Sequence, residues 1–71
     1  MSKTDLEKLQ LLLPHWIEHN AEHAAEFRQW AEKARSAGRA RVSDDIDLAA
    51  ARLEQVNETL NAALGKLGAP A

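Results

Sequence analysis

A chain of 71 residues with no cysteine, a formal charge of -2 and a pI near 5.8 has room for one small domain, with no disulfide or thiolate-metal staple to hold it. The mild acidity gives no global attraction for nucleic acid, and no apolar run approaches the roughly 20 residues of a membrane span. Nearly half of the apolar residues are alanine and the aromatics are two Trp and one Phe, so a lone chain is marginally stable and needs regular helix packing, a histidine/carboxylate metal site or oligomerisation.

The start, Met1-Ser2-Lys3-Thr4-Asp5, is polar and runs into a helical pattern, which argues against a signal peptide and for a cytoplasmic protein. Thr4 is a candidate N-cap, with Glu7 placed to complete a capping box. Apolar residues then recur at Leu6, Leu9, Leu13, Trp16, Phe27, Trp30 and Ala34, with Leu12, Ile17, Ala24 and Ala31 beside them. That three-and-four spacing marks one helical face, interrupted in its middle by Asn20 and His23.

Pro14 lies inside the pattern, where it removes a backbone donor and crowds the preceding turn. Leu11 would point away from the apolar stripe on an unbroken helix. Both features favour a short helix at about 5–12, a strong kink or break near Pro14, and a long helix over about 14–37. Lys33 and Arg35 suit the negative end of that helix, and Gly38 is a natural C-terminal cap.

Ser43 is the expected cap of a second long helix, about 43–67, with Asp44, Asp45 and Asp47 in its first turn. Its apolar seam runs Ile46, Ala49, Leu53, Val56, Leu60, Ala63 and Leu67. Residues 69–71 form a frayed tail. The reading is a single all-α domain over 1–71: a helical hairpin whose large Trp16, Phe27 and Trp30 need more cover than one alanine-rich helix supplies. A two-fold homodimer forming a four-helix bundle is the economical solution, with a folded-back third helix as the alternative.

Specific chemistry is concentrated between Pro14 and Phe27. His15, His19 and His23 fall four apart, as do Glu18, Glu22 and Glu26, so a helix carries them as neighbouring stripes. Imidazole and carboxylate suit a transition-metal ion such as zinc or nickel, and two histidines four apart can share one ion. About 12 Å of rise separates His15 from His23, so a site pairs His19 with one of them and takes further ligands such as Glu22. An antiparallel hairpin turning near Ala40 sets His19 opposite Asn57 to Gly65, where only Glu58 is a good ligand. A dimer mate presenting the same histidines is the better source.

Other readings compete. Asn20 and His23 can fix register at some cost in stability, the ladder can be a solvated face of weak pairs, and histidines can make an interface pH-sensitive. Lys33, Arg35, Arg39 and Arg41 are explained by the helix end and the loop, without nucleic acid. No nucleophile or phosphate loop points to an enzyme.

The run Leu12-Leu13-Pro14-His15-Trp16-Ile17-Glu18-His19-Asn20, followed by Glu22-His23-Ala24, Phe27, Trp30 and Ala31, resembles a small helical domain of unknown function found in archaeal and bacterial proteins. That domain is in places appended to metal-handling proteins of the CooT-like nickel-binding kind. The resemblance spans about Leu6 to Leu67 and implies a helical accessory domain. It carries over only His15, His19 and His23 as candidate ligands, since nothing of the β-rich CooT-like portion is present. Hemerythrin-like bundles also use spaced histidines and acids, but draw on more helices. The leading expectation is a transition-metal-handling or metal-sensing protein with ligands His15, His19, His23 and Glu22. The rival is a non-catalytic module that docks with another protein.

Overall fold

Two helices antiparallel to each other make up the structure. A computed structural model describes residues 1–68; the tail expected at 69–71 lies outside them. Helix α1 spans Lys3–Ser36 and helix α2 spans Ala40–Leu67, and the described residues contain no strand. Together they form a rod about 52 Å long and 15 Å across.

Helix α1 runs unbroken through Pro14, so the separate helix at about 5–12 is not formed. Pro14 is exposed, as is Gln10, whose carbonyl loses its partner one turn earlier. Water can satisfy that carbonyl, which lowers the penalty. Continuity keeps Leu9, Leu13 and Ile17 on one line toward α2. Leu11 is left 77% exposed as a consequence. The N-cap is Ser2 rather than Thr4, its side chain accepting from the Asp5 amide at 3.1 Å.

The turn follows the expected chemistry. Gly38 has φ +79°, which favours a residue without Cβ. Arg39 N–H donates to Ala34 carbonyl at 2.9 Å and Gly38 N–H to Arg35 carbonyl at 3.0 Å, the paired bonds of a Schellman motif.

Helix α2 begins three residues before the expected cap. Ser43 is not an N-cap but a fully buried residue inside the helix, and its hydroxyl has no hydrogen-bond partner. No acid lies in the first turn of α2. Asp44 and Asp47 instead reach Arg35, at 3.3 and 3.6 Å, and Asp47 also reaches Arg28 at 3.9 Å. Arg28 pairs in addition with Glu54. All of these groups are substantially exposed, so each pair contributes little, between about 0 and 1 kcal/mol.

The seam between the helices is built from small side chains. Ala24, Ala31, Ser43 and Ala50 are buried in it together with Leu13. Ile46, Leu53, Leu60 and Leu67 are partly buried as expected, but the alternating positions are Ala50, Asn57 and Leu64. The expected Ala49, Val56 and Ala63 lie on the exposed side. Trp16 and Trp30 are also displaced from the seam, 41% and 55% exposed.

Two stability changes follow. Ser43→Ala removes a buried hydroxyl that makes no bond and improves helix propensity, and should stabilise by about 1 kcal/mol. Pro14→Ala restores a helical hydrogen bond and should add about 1–2 kcal/mol after the entropy returned to the unfolded chain. Each kcal/mol corresponds to roughly 4–8 °C in Tm for a domain of this size. Thermal unfolding followed by circular dichroism checks both, and a lowered Tm for Pro14→Ala would show that the ring itself supports the helix path.

Candidate functional site

The middle of the seam is polar. Asn20 donates through Nδ2 to Asn57 Oδ1 at 3.1 Å, and Asn57 Nδ2 donates to the Ile17 carbonyl at 2.9 Å. Both asparagines are partly buried, so these bonds offset the cost of removing amides from water. They also tie one register of α1 to one register of α2, the role expected of Asn20.

On α1 beside this layer, His19 and His23 turn toward each other. Their Nε2 atoms are 3.0 Å apart, and the ring centroids are 4.5 Å apart at an interplanar angle of 88°. The i, i+4 spacing causes the meeting, since both side chains project from one stripe of the helix. His15 does not join them: its ring stacks on His19 with centroids 6.0 Å apart. The carboxylate near an imidazole is that of Glu26, whose Oε2 is 3.8 Å from His23 Nδ1. Glu22, the expected carboxylate ligand, is exposed. His23 also borders Phe27, with centroids 6.2 Å apart.

Either of the two facing nitrogens can donate to the other, according to the tautomers of the two rings. The same two nitrogens can hold a metal ion. Two Zn–N bonds of about 2.0–2.1 Å at a tetrahedral angle put their nitrogens about 3.3 Å apart. Within one chain the set stops at two ligands. Among the described residues no group of three or more His, Asp or Glu side chains is placed to hold a metal ion.

The two edges of the hairpin differ in character. One carries the Arg28 and Arg35 ion pairs and a groove of about 390 Å³ bordered by Arg28, Glu54, Asn57, Glu58 and Asn61. The other carries a groove of about 570 Å³ lined by Asn20, His23, Phe27, Ala49, Arg52, Leu53 and Val56. This second edge is an apolar strip with His23 in its wall. Sequence reasoning missed Phe27, Ala49 and Val56 as groove residues because it assigned all three to the closed seam. No helix among the described residues is long and apolar enough to cross a membrane.

The chain belongs to the DUF8180 family, a domain of unknown function, which its residues 9–67 match. It is 35% identical over 63 residues to an uncharacterized protein of Archaeoglobus fulgidus, an alignment covering 89% of this chain and 100% of the relative. No solved structure matches. The family match does not attach the domain to CooT-like nickel-binding proteins, so ligand assignment rests on the geometry of this chain.

The asparagine layer makes its own prediction. Asn57→Ala should cost about 1–2 kcal/mol, because it strands Asn20 in a partly dry seam. The double variant Asn20→Leu/Asn57→Leu should be as stable as the parent or more so, while losing the device that selects one register. A single set of sharp amide resonances in the double variant would show that register is set elsewhere.

Proposed function

We propose that this chain is a non-catalytic interaction module whose apolar edge docks against a second copy of itself, giving a homodimeric four-helix bundle. The observation that carries this reading is the exposed surface. The chain presents 5452 Å² to solvent, against roughly 4,400 Å² for a compact monomer of its mass. The excess of roughly 1,000 Å² is comparable to the ~800 Å² that each partner buries in a standard interface.

A second copy fits the distribution of side-chain sizes on that edge. The aromatic rings of Trp16, Phe27 and Trp30 belong to α1, while α2 contributes Ala49, Arg52, Leu53 and Val56 to the groove. A two-fold rotation brings the aromatic-rich edge of each copy against the same edge of its mate, so that the rings of each α1 are covered by the other chain. The module then obtains from its mate the cover that its own α2 cannot give.

A second reading, transition-metal handling, is favoured by the 3.0 Å approach of His19 and His23 Nε2. It requires further ligands from outside the chain, and so it depends on what covers the same edge.

Sedimentation equilibrium of the untagged chain in EDTA tests the dimer. The expected mass is twice the 7.8 kDa of one chain at micromolar concentration. Val56→Glu places a charge on the docking edge at a position 46% exposed in the single hairpin, and should weaken association at least tenfold. Leu11→Glu, on a surface away from that edge, should leave it unchanged. A parent chain that stays monomeric at 100 µM (a concentration on the order of that used for weak dimers) would overturn the proposal.

A further inference from the structure

We infer that His19 and His23 of two copies together form a transition-metal site at the dimer axis, four imidazoles around one ion. The inference rests on the dimeric reading above and adds to it a ligand, a stoichiometry and a location.

The argument begins with incompleteness. Two imidazole nitrogens converge at 3.0 Å, which is half of a tetrahedral donor set, and the described residues of the same chain supply no third ligand. Neither Asn20 nor Asn57 is free to serve, since each is committed to the seam. A completed site therefore needs donors from another chain, and it needs them on the edge where His23 lines the apolar groove.

The histidine pair itself locates the axis. An antiparallel pairing of α1 with its copy centred on Ala21, midway between His19 and His23, sets His19 of each chain against His23 of the other, so that the four donors meet at one level. The same pairing sets Trp30 of each chain against Leu12 of the other. Centring it on His23 instead would leave the two copies of His19 about 12 Å of rise apart and the four donors unable to share an ion.

The surroundings suit an ion. Glu26 near His23 Nδ1 supplies the carboxylate that orients a ligating imidazole and raises its basicity. Phe27 beside His23 and the flanking tryptophans would exclude water from the ion once the second copy is seated. Imidazole-only coordination selects a borderline divalent ion such as zinc, cobalt or nickel over magnesium or calcium.

The test uses the untagged full chain and cobalt(II), whose visible absorption reports coordination number. The expected result is one cobalt per two chains, an intense tetrahedral band, and dimer affinity raised at least tenfold over the EDTA control. His19→Ala and His23→Ala should each abolish the band, while His15→Ala should keep it. The failures are distinguishable. A dimer in EDTA that takes up no cobalt sinks the metal site and leaves the interaction module standing. Cobalt bound one per chain, with no change in association, refutes the shared site. A band that survives His19→Ala but is lost in His15→Ala places the ligands elsewhere. A monomer with or without cobalt removes both readings together.

Discussion

The narrow seam between the two helices governs everything else in this fold. Where α1 and α2 come closest, the buried residues are Ala24, Ala31, Ser43 and Ala50, and among the described residues the largest fully buried side chain is a serine. Small residues at a helix interface let the backbones approach, as alanine does in any tightly packed pair. A seam so narrow has no space for indole or phenyl rings. Trp16 and Trp30 are therefore pushed out to one edge, and Phe27 is covered only in part. The same closeness buries the Ser43 hydroxyl with no partner, so steric fit is met there at the expense of a hydrogen bond.

That displacement gives the hairpin two unlike edges. On one, arginines 28 and 35 of α1 lie across from acids of α2, and long charged side chains shield the seam while remaining in water. On the other, rings and aliphatic groups lie partly open, and Lys33 stacks at 4.1 Å over Trp30. A layer two helices thick cannot enclose such groups by itself, because each helix has only one neighbour. The charged edge is closed by screening and the apolar edge is not. This asymmetry, more than any single residue, supports the proposed docking of a second copy.

Much of this was legible in the residues. The helical hairpin, the Gly38 turn and the face shared by Ile46, Leu53, Leu60 and Leu67 all follow from spacing and cap chemistry. The phase of the second helix was not. Positions 49, 56 and 63 are Ala, Val and Ala, while 50, 57 and 64 are Ala, Asn and Leu, so hydrophobicity alone favours the wrong set. What decides is Asn57, whose amide finds two partners in the seam. Pro14 misled for a related reason. Its cost is local and visible, whereas the gain from keeping Leu9, Leu13 and Ile17 aligned on α2 is tertiary. Ser43 reads as a cap by residue type, yet here its value is its size. At the site, four-residue spacing foretold that neighbouring histidines would meet. It could not tell His15–His19 from His19–His23, since both pairs share the spacing and differ only in how the rings turn.

Closing the apolar edge changes what the histidine pair must do. In the open hairpin both imidazoles are in contact with water and any nitrogen can find a partner there. Once covered, each inward nitrogen needs a proton to share or an ion to bind, because an unsatisfied polar group away from water is costly. A proton shared between the two facing Nε2 atoms meets that need, the direction of donation depending on the tautomers of the rings. A metal ion in place of that proton would bind both lone pairs, and in the proposed dimer it would gain as many donors again from the second pair. For the histidine pair, the difference between a structural and a metal-binding role therefore reduces to which cation lies between two nitrogens.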